Sequence, residues 1–140
     1  MSERELRKVF ADLHVHTALS PCADDSATPA GIVSAALDNG MGMIAITDHN
    51  SAENVGAVMS LGAKLGLKVI PGMELTTAEE VHLVCLFETE RDALRMQEIA
   101  YPLLPPVENQ PDVFGRQLIF DSEGNPNGEC TKMLIGATSI

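Results

Sequence analysis

At 140 residues, with 45% hydrophobic and 21% charged, the chain is long enough to bury a core and too apolar to remain disordered. Its net charge of −11 disfavours a general nucleic-acid groove of clustered Lys and Arg, although bound cations can reverse that sign locally. With no tryptophan and 4% aromatic residues the core is expected to be aliphatic. The three cysteines, Cys22, Cys85 and Cys130, form no C-x-x-C pair, and the stretch from Met1 to Lys8 is too polar for a signal peptide. No apolar run reaches bilayer length. These features predict one cytoplasmic domain over residues 1–140, with no membrane association.

In chain order, Val9 to Leu13 reads as a first strand, with Asp12 and His14 on one side and Leu13 on the other. Thr28-Pro29 supplies an N-cap and a proline at the first helical position, opening a helix to about Asn39 that stops at Gly40. Met43 to Thr47 is an apolar run suited to a buried parallel strand. A second helix is predicted from Ser51 to Gly66, with Val55, Val58, Met59 and Leu61 on one face. Leu67 to Ile70 predicts a third strand, ended by Pro71-Gly72, and Val81 to Phe87 a fourth. Glu90 to Ala100 predicts a third helix. Tyr101 to Pro111 is proline-rich and irregular, and Gln117 to Phe120 with Glu129 to Lys132 reads as a short hairpin around a polar turn. The alternation of strand and helix periods predicts an α/β fold on a parallel sheet, with a ligand site at the carboxyl ends of its strands.

The four histidines of the chain stand at turn-like ends of short apolar runs. For His14 and His16 in D-L-H-V-H-T and His49 in T-D-H-N these are carboxyl ends of predicted strands, whereas His82 in E-V-H-L opens the fourth. Glu74, in P-G-M-E, stands between the last two. H-x-H on a strand puts both imidazoles on one side, because side chains repeat with period two. Alone that pair is weak, since a histidine near a strand end is more often a surface residue than a ligand. T-D-H-N and P-G-M-E at the next two strand ends change the balance. Neutral imidazole and carboxylate together suit zinc, manganese or iron. Ser20 and Ser51 have no free histidine to serve as their base. Arg116 suits an oxyanion, but reads more simply as a surface residue; Cys85 reads as core, and Met41, Met43 and Met73 as packing.

Taken in order, D-L-H-V-H-T, T-D-H-N, P-G-M-E and E-V-H-L resemble the PHP superfamily, the polymerase and histidinol phosphatase domains, over roughly residues 9 to 88. H-V-H-T-A-L-S-P-C-A-D-D is similar to a branch of small bacterial PHP-domain metal-dependent phosphoesterases, and Gln117 to Ile140 resembles the hairpin and following helix start of that branch. The resemblance implies a distorted (β/α) barrel carrying two or three divalent ions (Zn, Mn or Fe). It implies that His14, His16 and Glu74 hold the first ion and form the catalytic centre. Glu74 then bridges to a second ion with His82, and Cys22 joins His49 on a third. Asp12 and Asp48 orient imidazoles, with Asp48 the nearer to being a ligand itself. The family carries a further histidine and an Asp-x-His pair later in the barrel, whereas no histidine follows His82 here. The chain is therefore expected to be the N-terminal part of such a barrel, truncated at Ile140, whose open edges favour a homo-oligomer.

The expected activity is hydrolysis of a phosphate ester by metal-activated water, on a phosphorylated small molecule or nucleotide, or at a nucleic-acid end. The alternatives are a non-catalytic metal-binding module, structural or regulatory, and a polymerase-associated PHP domain, which the acidity and short length disfavour.

Overall fold

The computed structural model describes residues 6–140; much of the polar stretch from Met1 to Lys8 lies outside them. A four-stranded sheet in the order β1-β2-β3-β4 forms the body, from β1 (Ala11–Val15), β2 (Met43–Ile46), β3 (Lys68–Thr76) and β4 (His82–Leu86). It curls as a half-barrel, the shape of a partial (β/α) barrel as the sequence leads one to expect. β1 lies two residues later than the sequence predicts, which carries His14 into the strand. β1 and β2 run parallel, as do β2 and the first half of β3.

The third strand departs from expectation. Pro71-Gly72 does not end it: β3 runs on for nine residues, with Glu74 inside it. The two halves of β3 have different neighbours, because Met43–Ile46 pair with Lys68–Pro71 and Gly72–Thr76 pair antiparallel with His82–Leu86. Proline is tolerated because its carbonyl still accepts, here from the Phe87 amide at 2.9 Å. A Cβ on Gly72 would come within 2.9 Å of the Cys85 and Ile46 carbonyl oxygens, so only glycine lets three backbones close at this switch. The sheet is thus mixed, with β4 antiparallel, and the short connection from β3 to β4 is what permits it.

The helices cover one face. α1 (Pro29–Asp38) is capped by Thr28 Oγ1, which accepts from the Gly31 amide at 3.1 Å. α2 (Val55–Leu65) starts four residues later than the predicted Ser51, because Ser51 and Asn54 spend their side chains on tertiary hydrogen bonds. It ends on Gly66 in the left-handed conformation, φ 82°, whose amide reaches the Gly62 carbonyl. α3 (Glu90–Ala100) has the predicted bounds, capped by Thr89. The largest core cluster joins Val33, Ile44, Ile46, Val55, Val58, Val69 and Ala93, an aliphatic set as composition predicts.

Residues 101–140 wrap the end of the sheet. They comprise a 3₁₀ turn (Tyr101–Leu103), a one-turn α4 (Pro111–Phe114), and a hairpin of β5 (Leu118–Phe120) and β6 (Pro126–Glu129). β6 begins three residues earlier than the sequence predicts. The helix start implied after the hairpin is absent: residues 133–140 form turns and irregular chain. They are anchored instead, with Leu134 fully buried against Leu19 and Leu104, and the Thr138 amide bonded to the Thr76 carbonyl at 2.9 Å. β1 and β4 are the sheet edges, and Leu13, Leu83, Val84 and Leu86 on them remain more than 40% exposed.

Candidate metal centre

Glu74 is the hub. Its side chain is buried on β3, an interior strand, and four imidazoles from three other segments turn toward it. Oε2 lies 3.1 Å from His14 Nε2, 2.9 Å from His16 Nε2 and 3.4 Å from His49 Nδ1. Oε1 lies 3.1 Å from His82 Nδ1. Period two explains three of these placements. His14 and His16 share one side at the end of β1, and antiparallel pairing sets Thr76 opposite His82, two residues along from Glu74 opposite Val84. His49 is placed by backbone: the loop after β2 is held on both sides by Thr47 N to the Val15 carbonyl (2.8 Å) and Glu74 N to the Asp48 carbonyl (3.0 Å).

Three overlapping groups of donors result: His14, His16 and Glu74; His49, Glu74 and His82; and His16, Cys22 and His49. Cys22 Sγ sits 3.3 Å from His16 Nδ1 and 3.4 Å from His49 Nε2. Two nitrogen or oxygen ligands about 2.05 Å from one tetrahedral ion stand about 3.3 Å apart, so the Glu74 distances match donors converging on a shared cation. His49 Nδ1 is buried without a hydrogen-bond partner. An orphaned nitrogen facing a carboxylate and a second imidazole is what a missing ligand-to-ion bond leaves behind. The residues present fit divalent cations.

Electrostatics agree. Burial first, then the neighbouring His16, lowers the His49 pKa to about 4, so at neutral pH the ring is in its neutral, ligating form. Burial alone would raise Glu74, but the hydrogen bond from His14 and the charges of His49, His14 and His16 outweigh it and hold the carboxyl below its usual value. Burial pushes the Cys22 thiol up.

Asp48 stands outside the three donor groups. It is completely buried, and both oxygens are taken: Oδ1 accepts from Thr17 N and Ser20 Oγ, and Oδ2 from Thr17 Oγ1, each at 2.7 Å. Burial raises its pKa, opposed by those same bonds. Ser20 Oγ in turn accepts from the His49 amide at 3.1 Å, so Asp48 fixes the turn that carries His49. Asp12 Oδ1 accepts from the His14 amide at 3.2 Å. Arg116 is held between Asp25 (3.6 Å) and Glu129, tying the hairpin to the loop that follows Cys22.

Sequence reasoning overlooked the amides beneath the site. Asn50 donates to the carbonyls of Leu134 (2.7 Å) and Gly136 (2.9 Å) and accepts from Thr76 N. Asn54 donates to Thr17 Oγ1 and the Leu118 carbonyl and accepts from Phe120 N. Gln117, fully buried, clasps Cys130, Lys132 and Leu134 backbone atoms. The available signal was the density of polar residues in T-D-H-N-S-A-E-N, too many for a simple helix start.

With this geometry in place, the comparisons fall on the same residues. The PHP domain family model matches residues 12–100. A 5'-3' exoribonuclease Rnm of Escherichia coli (strain K12) is 33% identical over 111 residues, covering 66% of this chain and 37% of the relative. A phosphoribosyl 1,2-cyclic phosphate 1,2-diphosphodiesterase of Eggerthella lenta is 31% identical over 83 residues, covering 56% of this chain and 30% of the relative. A solved structure from Bifidobacterium adolescentis, assigned as a metal-dependent phosphoesterase, matches with a TM-score of 0.51 and 23% identity, over 66% of this chain and 33% of that one. The chain therefore spans about a third of the length of the proteins it resembles. Three segments converging on one glutamate, inside a family match covering well over half the residues, lead to one conclusion: the chain belongs to the PHP domain family.

Proposed function

We propose that this chain carries the metal-binding part of a phosphoesterase that hydrolyses a phosphate ester of a nucleotide, a sugar phosphate or a nucleic-acid end. The observation that carries the reading is Glu74, buried and faced by His14, His16, His49 and His82 at 2.9 to 3.4 Å. The names of the relatives, an exoribonuclease and a cyclic phosphate diphosphodiesterase, both describe cleavage of ribose phosphate esters and support that substrate class.

Divalent ions, when bound, supply hydroxide from water near neutral pH and offset charge developing on the phosphoryl oxygens. The protein's part is to hold the donors rigid. Glu74 offers one oxygen to the His14 and His16 side and the other to His82, the arrangement of a bridging carboxylate. His14 and His82 are half exposed, which leaves an open face for substrate, whereas His49 and Glu74 are sealed beneath. The two serines singled out in the sequence, Ser20 and Ser51, are occupied elsewhere. Ser20 Oγ donates to Asp48, and Ser51 Oγ is engaged with Gln97 and Tyr101.

The test is turnover of an aryl phosphate and of a 5'-phosphorylated oligonucleotide, with metal content measured in parallel. His14→Ala and Glu74→Ala are expected to lose activity at least 100-fold together with bound metal. Undiminished turnover in strong chelator would remove the proposal. Tight metal binding without turnover on either substrate favours the non-catalytic module instead.

A further inference from the structure

The three donor groups overlap in a way that limits how they can be filled. His16 turns Nε2 to Glu74 (2.9 Å) and Nδ1 to Cys22 (3.3 Å). His49 turns Nδ1 to Glu74 (3.4 Å) and Nε2 to Cys22 (3.4 Å). A neutral imidazole has one bare nitrogen and one N–H, so each ring serves one ion only. Filling all three groups from these residues would require both rings to give up their last proton.

The orphaned atom decides which nitrogens are bare. His49 Nδ1 is buried with no hydrogen-bond partner, in a side chain only 8% exposed. If Nδ1 carried the hydrogen, it would be sealed away unbonded, since Glu74 Oε2 at 3.4 Å does not meet it in hydrogen-bond geometry. If Nδ1 is bare, it joins Glu74 and His82 on an ion, and Nε2–H then points at Cys22. Assigned in the matching sense, His16 Nε2 completes the group with His14 and Glu74 and leaves Nδ1–H aimed at the same sulfur. Every ring nitrogen of the two residues is then used once. Ligating histidines commonly fix their orientation by donating the other N–H to an acceptor, and here one sulfur receives both.

We propose that Cys22 is a positioning residue, accepting hydrogen bonds from His16 and His49, and that this chain's own donors hold two ions bridged by Glu74 rather than three. This departs from the ligand role that family resemblance implies for Cys22, and it rests on the metal-dependent reading above.

Cobalt(II) added to metal-free protein distinguishes the cases. The expected result is two cobalt ions per chain by elemental analysis, with no sulfur-to-cobalt charge-transfer absorption in the near ultraviolet. Cys22→Ser, which keeps an acceptor, is expected to retain both ions with affinity within about threefold. Cys22→Ala is expected to bind them about 10- to 100-fold more weakly while keeping the wild-type circular dichroism spectrum. A charge-transfer band with a third ion that Cys22→Ser abolishes would make Cys22 a ligand and overturn the inference. Unchanged affinity in Cys22→Ala would overturn the positioning role. Failure of the folded wild type to take up any cobalt would sink the metal reading itself, and this inference with it.

Discussion

Asp48 and Glu74 are both buried acids, yet their surroundings give them opposite tasks. Glu74 meets imidazole nitrogens, which exchange protons and bind cations; Asp48 meets only hydroxyls and one amide. Thr17 Oγ1 already accepts from Leu19 N (3.1 Å) and Asn54 Nδ2 (2.8 Å), so its own hydrogen must go to Asp48. Asp48→Asn therefore sets an amide N–H against an oxygen with no lone pair to spare. We expect it to lower unfolding free energy by about 1–3 kcal/mol, read from denaturant midpoints, while metal content per folded chain stays at the wild-type value. A well-folded Asp48→Asn that has lost an ion would instead make Asp48 a ligand. The sequence showed T-D-H-N as a motif but could not assign its acid, because period two says which side a residue faces and not which partner it meets.

At the level of elements, β3 carries the design. Its first half continues the parallel sheet, its second half turns to β4, and Glu74 lies two residues beyond the switch at Gly72. Gly72→Ala would drive a methyl group to about the separation at which two backbone oxygens must move, with Thr47 Cγ2 at 2.8 Å and the Cys85 and Ile46 carbonyls at 2.9 Å. A cost of about 1–3 kcal/mol is expected in chemical denaturation, with weaker metal binding because Glu74 is re-aimed. An alanine variant as stable as wild type would show that the switch has slack. The helices were the more legible elements, although α2 starts later than Ser51: Thr28-Pro29 marks one start, Gly66 one end, and Glu90–Ala100 has its predicted bounds. Pro71-Gly72 misled, since the pair is a turn signal in most settings and here serves an exchange of strand neighbours.

For the whole molecule, the candidate metal centre gathers β1, the loop after β2, β3 and β4 at one end of the sheet, and residues 101–140 lock beneath it through Asn50 and Asn54. Bound ions should therefore stabilise the entire fold by mass action. At 100 times the dissociation constant, linkage supplies about 2.7 kcal/mol, roughly a 10 °C rise in Tm for a chain of this size. Calorimetry with and without chelator measures it. The same Tm in both conditions would mean that the donors are equally available in the unfolded chain or hold no ion.

The amino-acid sequence alone marked the histidines and Glu74 as candidate donors and determined the aliphatic core, the Thr28 and Gly66 helix ends and the family, because each depends on residue type at short spacing. Only tertiary structure decided that Glu74 sits inside a strand and that β4 runs antiparallel. It also gave Asp48 its partners and placed Cys22 between two imidazoles. These depend on long-range pairing, in which a backbone carbonyl or a ring nitrogen many residues away competes for the same atom.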